Sequence, residues 1–313
     1  MAAYILRRLA GMIAVMFIVA TLVFAIAHII PGDPAGVMLG PSATAEDVAA
    51  LRTRLGLDRP LPEQYVRFLG AAVSLDLGQS IFLGRSVLQA LGERAPLTLL
   101  LTGMAAALAV LIGVPVGVLS AVWRGGAFDQ AGTALSMVAA SLPSFWIGLT
   151  LIEYLAVRWH EFPVAGYGAP GAGLLEHMRF LVLPAIAVGL PNTALITRFT
   201  RTSMLDVLHE DYVRTARAKG LHPATVVIKH AFRNARTAVL TVIGLVVAGL
   251  IGGAIVTETV FGLPGVGNLV VSAVLRRDYP VIQGALLVIS GIYVLVNLGV
   301  DLLYAVLDPR VRY

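Results

Sequence analysis

Residues 198–236, RFTRTSMLDVLHEDYVRTARAKGLHPATVVIKHAFRNAR, stand between two charge-free runs, Phe180–Thr197 and Thr237–Thr257. The stretch carries eight basic residues (Arg198, Arg201, Arg214, Arg217, Lys219, Lys229, Arg233, Arg236) against three acidic ones (Asp206, Glu210, Asp211). Its net charge of +5 equals the excess of the whole 313-residue chain. Four more charge-free runs lie outside it, Leu9–Ile30, Leu97–Trp123, Ala131–Ile152 and Val281–Val300. Each of the six has about the 17–25 residues that a helix needs to cross a hydrocarbon core. Only 13% of the residues are charged and 58% are hydrophobic, with a mean hydropathy of +0.85. A soluble domain has roughly 25% charged residues. The predicted fold class is an all-α membrane protein with six transmembrane helices.

Arg7 and Arg8 before the first run give it the look of a signal peptide, but the run is too long for an apolar signal core. PGDP at 31–34 also stands where a small-residue cleavage site is expected, so the run reads as a membrane anchor. There is no cysteine, which excludes disulfides and thiolate metal sites. The basic residues flank membrane runs, so lipid headgroups rather than nucleic acid account for the sequence pI of about 9.7.

The positive-inside rule places the 198–236 loop in the cytoplasm. With six spans, the amino terminus, the 124–130 turn and the carboxy terminus with Arg310 and Arg312 share that side. Residues 31–95, 158–179 and 258–280 face outward, against the sign of Arg276 and Arg277. The expected organisation is residues 1–30 as amino terminus and first span, 31–95 as an extracytoplasmic cap, and 96–313 as the transmembrane core. Within the cap, PEQYVRFLGAAV opens with Pro62 at a helix start and repeats apolar residues at Tyr65, Phe68, Leu69 and Ala72, an amphipathic pattern.

Helix-breaking residues fall at membrane depth in several runs. GVPVG at 113–117 offers Gly113 and Gly117 for close helix contact and predicts a kink at Pro115. SLPSFW at 141–146 carries Pro143 and Phe145, and the fourth run carries Pro184, Pro191 and Asn192. Such residues are tolerated where neighbouring helices or water satisfy the backbone, as around a translocation path. Proline is also common in ordinary transmembrane helices, and for any single proline that reading stands equally. Pro143, Phe145, Asn192 and Glu258 are the candidate substrate-path residues. Among the ionisable residues near span ends, the ordinary solvated reading is preferred for His28 and Glu153, and both readings stand for Asp301.

Inside the central loop, EDYVRTARAKG (210–220) has the chemistry of a short helix. Glu210 and Asp211 start it, Arg217 and Lys219 end it in accord with the macrodipole, and Gly220 supplies a stop. Glu210 and Arg214 make an i,i+4 pair. Tyr212, Val213 and Ala216 form a narrow apolar face that needs a partner surface, either the chain's own bundle or another protein. His222-Pro223 opens a second helix running into the fifth span, with Lys229, Arg233 and Arg236 on one face.

There is no P-loop signature, and Lys219 and Lys229 are the only lysines, so nucleotide chemistry falls to a partner. GYGAPG at 166–171 matches the dinucleotide fingerprint only formally, in an outward loop with no strand before it. His160-Glu161 lacks a second histidine at i+4, and no hydrolase elbow is present, so no catalytic or metal site is expected.

EDYVRTARAKG followed by IKHAFRNA (228–235) resembles the cytoplasmic "EAA" loop of permease subunits of bacterial ABC importers, in the variant of the dipeptide/oligopeptide/nickel family. Six further motifs agree in order: IIPGDPA (29–35), LGLDRPLPEQYVRFL (55–69), LDLGQS (75–80), ETVFGLPGVGNLV (258–270), RRDYP (276–280) and LDPRVRY (307–313). The chain is similar to the B-type permease of that family. The resemblance implies a type I importer permease fold and a complex with a C-type permease, two cytoplasmic ATPases and an extracytoplasmic binding protein. It implies no cofactor on this chain, with ATP and Mg on the ATPases, and no nucleic acid partner. It makes Glu210, Asp211, Tyr212, Arg214, Thr215, Ala216, Arg217, Lys219 and Gly220 the coupling helix that docks on an ATPase. Arg214 and Thr215 stand where the general motif has Glu and Ala, and Ala238 where the family has proline, beside an additional Arg236.

The implied substrate is of the peptide type, with nickel chelates, glutathione and oligosaccharides as alternatives in the same class. A stand-alone channel or secondary transporter is the rival from another class. It would be expected to show paired charges at the bilayer midplane, which here is almost charge-free.

Overall fold

The computed structural model describes residues 2–29, 34–40, 43–169, 171 and 173–307. Residues 31–33 of PGDP, Pro170 of GYGAPG, and residues 308–313 with Arg310 and Arg312 lie outside these. The regular secondary structure of the described residues is helical, apart from a lone antiparallel bridge between Gln79 and Ser86. Five helical segments are long and apolar enough to cross a membrane: Leu6–Ile26, Val87–Val122, Leu174–Leu208, Pro223–Val260 and Tyr279–Leu302. The pair Ala127–Ser141 and Ser144–Arg158 makes a sixth if it is taken as one span bent by 99°.

The chain forms two compact units. The first comprises the described residues within 2–96 and 268–294, the second those within 97–267 and 295–307. The first contains α1 (Ala2–Ile29), α2 (Pro34–Leu39), α3 (Ala45–Leu55), α4 (Leu61–Val73) and the start of α5 (Val87–Val122). It also takes most of α12 (Val266–Arg276) and the first half of α13 (Tyr279–Leu307). Thr44 and Asp47 close a capping box on α3, and Gly56 ends it at φ 69°. Two motifs distant in sequence meet here. The Asp278 carboxylate of RRDYP is buried and accepts the Ser80 hydroxyl of LDLGQS at 2.6 Å and the Ile81 N–H at 3.3 Å. A β-carbon on Gly284 would lie 2.6 Å from Val87 Cγ1 and 3.2 Å from Leu77 Cβ, so α13 approaches that loop as closely as backbone allows.

The second unit holds the rest of α5, α6 (Ala127–Ser141), α7 (Ser144–Leu151) with a π-helical continuation (Ile152–Arg158), and α8 (Leu174–Leu208). After these come α9 (Asp211–Ala218), α10 (Pro223–Thr225), a second π-helical segment (Val226–Phe232) and α11 (Arg233–Val260). The third run is therefore two helices and not one straight span. Leu142 is extended (φ −91°, ψ 128°) before Pro143, as the steric demand of proline on its predecessor requires, and the chain turns there. By contrast α5 passes Pro115 and α8 passes Pro184 and Pro191 without interruption.

Small residues set the packing of α5 on α8. A β-carbon on Gly117 would lie 2.6 Å from the Thr197 carbonyl and 2.7 Å from Thr200 Cβ, and one on Gly113 2.9 Å from the Thr193 carbonyl. The obstacle at Gly117 is backbone, which cannot rotate away. Gly117→Val is expected to force α5 and α8 apart, at a cost of about 3 kcal/mol or more. Loss of the monodisperse peak of the purified variant in detergent checks this, and an unchanged elution profile and melting temperature would refute it.

Candidate functional site

The structure builds the 210–220 helix as the sequence chemistry directs. Glu210 adopts an extended N-cap conformation (φ −67°, ψ 145°), Asp211 occupies the first turn of α9 and Arg217 the last. Gly220 then takes φ 71° and donates its N–H to the Arg217 carbonyl at 2.9 Å, a left-handed stop. His222 caps α10, its Nδ1 accepting the Ala224 N–H at 3.3 Å ahead of Pro223. Arg214 pairs with Asp211 (3.5 Å, i,i+3) rather than with Glu210, which the N-cap conformation leaves outside the helix.

The partner surface of α9 is the chain's own bundle. Val213 (0% exposed) and Ala216 (5%) sit in a buried cluster with Ala121, Met204, Leu208, Val226, Ala231 and Ala235. The small side chain of Ala216 thus serves close packing inside this chain. Tyr212 is exposed, yet its hydroxyl accepts the Asn234 amide at 2.9 Å and ties α9 to the start of α11. Asp211, Arg214, Thr215, Arg217, Lys219 and Gly220 are all exposed, as is Glu210. The result is a short helix fastened along one side and open along the other.

The candidate path residues lie on α7, α8 and α11, three helices that pack against one another. Pro143 forms the bend and Phe145, 44% exposed, projects from the first turn of α7 beside the exposed Trp146. Asn192 is half-buried, with its amide donating to the Val188 carbonyl of its own helix at 2.8 Å. Glu258 differs from the other three, being wholly buried. Its carboxylate accepts the Thr98 hydroxyl at 2.6 Å, while Thr98 Oγ1 accepts the Val266 N–H at 2.9 Å. A β-carbon at Gly265 would fall onto that carboxylate, so FGLPGVG wraps Glu258 with bare backbone. Phe261 of the same loop accepts the Gly166 N–H at 2.9 Å and lies against Gly148, where a β-carbon would stand 2.9 Å from its ring. Glu258 therefore fastens the end of α11 to α5 and is enclosed by its own loop.

Glu153 pairs with Arg158 at 2.9 Å in the open, and His28 meets the Phe24 carbonyl and Gln64. Asp301 is half-buried on α13. Sequence reasoning missed the ion pair of Asp129 and Arg201. The guanidinium of α8 grips the carboxylate of α6 with two bonds (Nε–Oδ1 2.5 Å, Nη2–Oδ2 2.8 Å), and the Gly125 N–H adds a third at 2.9 Å. Asp129 is 4% exposed. The only signal in the sequence was an acid in a short turn between two long apolar runs. Among the described residues no group of histidines and carboxylates is arranged to hold a metal ion.

A family profile described as "Binding-protein-dependent transport system inner membrane component" matches residues 113–313. A second, for the amino-terminal part of such membrane components, matches residues 1–102. A probable peptide ABC transporter permease of Sinorhizobium fredii is 46% identical over 314 residues, covering 100% of both chains. The dipeptide transport system permease of Escherichia coli K12 is 42% identical, covering 99% of this chain and 98% of its own. The glutathione transport system permease of an E. coli O6:H1 strain is 41% identical over 99% of each. Among solved structures, an inward-facing form of the MetNI methionine ABC transporter superposes with a TM-score of 0.59 at 18% identity. That match covers 70% of this chain and 97% of the other, and shows the type I importer permease fold. The six-run helical architecture, the fastened loop helix and full-length likeness to transport permeases agree, and the chain belongs to the family of inner-membrane components of binding-protein-dependent transport systems.

Proposed function

We propose that this chain is one of two permease subunits of an ATP-driven importer, and that a peptide-type substrate crosses the membrane between it and a C-type partner. The 198–236 loop and both termini face the cytoplasm, as the positive-inside rule asks of a stretch with eight basic and three acidic residues. Two ATPase subunits hold ATP and Mg, and an extracytoplasmic binding protein delivers the substrate. Peptide permeases of S. fredii and E. coli are the relatives that suggest the substrate class.

The observation that carries this reading is the two-sided character of α9. A helix free on both sides would fray under load, because eight residues do not make a stable helix alone. Here Val213, Ala216 and the Tyr212 hydroxyl join it to its own bundle, so displacement of its exposed side moves α8 and α11 with it. ATP-driven closure of the two ATPases then becomes a hinge or shear movement of the membrane helices. The requirement is differential contact, with α9 fitting the closed ATPase pair and the open pair differently.

Arg217→Glu with Lys219→Glu reverses two exposed charges and leaves the buried contacts of Val213 and Ala216 in place. Like-charge juxtaposition at an interface costs several kcal/mol, and recovery of the ATPases with the purified chain is expected to fall by about tenfold or more. Unchanged recovery would assign both charges to the lipid surface.

A further inference from the structure

The helix α4 has three distinct sides. At about 100° per residue, Gln64, Tyr65, Phe68 and Ala72 share the side that meets α1. The Tyr65 hydroxyl lies 2.6 Å from Thr21 Oγ1, and the Tyr65 and Phe68 rings stand 5.2 and 5.6 Å from the Phe24 ring. A second side is charged, with Glu63 paired to Arg59 and to Arg67 along one line. Between the α1 side and the charged side, on one flank of the helix, run Val66, Leu69 and Val73, with Val66 67% and Val73 87% exposed.

The depth of α4 is set by what it touches. Thr21 and Phe24 lie within Leu6–Ile26, the apolar part of α1. Around them Ile18, Leu22 and Ile26 are exposed, as on a helix whose neighbour is lipid. Thr21 and Phe24 lie in the last turns of that apolar run, at the level where a bilayer passes from acyl chains to headgroups, so an exposed apolar flank of α4 has acyl chains or protein within reach. Thirteen residues reach only about 20 Å, too short to cross a core of about 30 Å. A short helix with an apolar flank, a charged flank and no room to span lies in the interface plane.

We infer that α4 is a monotopic helix whose Val66–Leu69–Val73 flank rests among phospholipid acyl chains in the leaflet reached by the carboxyl end of α1. Glu63 and Arg67 point to headgroups and water. The segment after the first span is thereby held to the bilayer surface, independently of which substrate or ATPase the complex uses.

The absence of cysteine makes the test direct. Nitroxides are attached to Val66→Cys, Leu69→Cys, Val73→Cys and Arg67→Cys in the full chain, in nanodiscs of phosphatidylcholine and phosphatidylglycerol. Saturation is read with oxygen and with a water-soluble nickel chelate. The labels at 66 and 73 are expected to favour oxygen and to lie about 5–10 Å below the headgroup boundary, while the label at 67 favours nickel. Nickel access at 66 and 73 equal to that at 67 would place the flank in water. Protection of both from oxygen and nickel alike would mean that protein, a second copy or another chain, covers it. Either result overturns the inference.

Discussion

Gly220→Pro is expected to abolish uptake while the chain still inserts and folds its membrane helices. Gly220 sits at φ 71°, and its N–H donates to the Arg217 carbonyl at 2.9 Å. Proline is confined to φ near −65° and has no N–H, so it can neither make the reversal nor close the end of α9. Alanine is the informative control. Nothing lies within 4 Å of where its β-carbon would be, so Gly220→Ala meets no neighbour. It carries only the left-handed penalty of roughly 1–2 kcal/mol. Uptake in vesicles should therefore be lost with proline and lowered only moderately with alanine, with ATP hydrolysis by the partner subunits no longer tied to uptake in the proline variant. Normal uptake by Gly220→Pro would remove the coupling role from residues 210–220.

The second large effect is expected at Arg201. Its guanidinium holds the buried Asp129 carboxylate at the start of α6, and Arg201 lies two turns before the end of α8, which leads into α9. Removing one partner of a buried pair leaves an uncompensated charge and costs about 3–5 kcal/mol. Arg201 is partly exposed, and the expectation for Arg201→Ala lies at the lower end of that range. Asp129→Ala with Arg201→Ala leaves no stranded charge and should recover much of the loss, so the two substitutions will not add. Thermal unfolding of the purified single and double variants in detergent measures this, and strictly additive losses would show that the pair acts as two independent surface groups. Uptake should rank the variants in the same order, since α6 leads into the Pro143 bend.

The fold was legible because hydrophobic runs of membrane length are long-range patterns carried by a continuous stretch of chain. Five of the six runs fall on single long helices, the third is broken in two at Pro143, and the acid-first, base-last, glycine-stopped pattern of residues 210–220 became α9. Proline was ambiguous. Pro115, Pro184 and Pro191 each remove one backbone donor just as Pro143 does, yet only Pro143 marks a right-angle turn. Whether a helix continues past proline depends on what packs around it. Near Pro115 the glycines at 113 and 117 press α5 directly onto α8, and Pro184 is itself buried within α8, support that local sequence does not display.

Pairs distant in sequence were equally hidden. Ser80 with Asp278 joins two motifs already visible as separate words, and Asp129 with Arg201 joins α6 to α8. Glu258 was visible as an acid at a span end, but its burial depends on Gly265 and Gly267 folding back over it. Tyr212 belonged to the apolar face of α9 by spacing. The structure keeps its ring exposed and uses its hydroxyl, because Asn234 reaches it from α11.

In the mechanism proposed above, α9 receives movement from ATPase partners to drive import. Purification of the chain from its native membrane in mild detergent tests it most directly, with identification of the bound proteins and an assay of ATP hydrolysis. Two ATPase subunits and a second permease are predicted, with hydrolysis stimulated by an extracytoplasmic binding protein whose ligand names the substrate. Recovery of this chain alone, still moving solute into liposomes without ATP, would contradict the account.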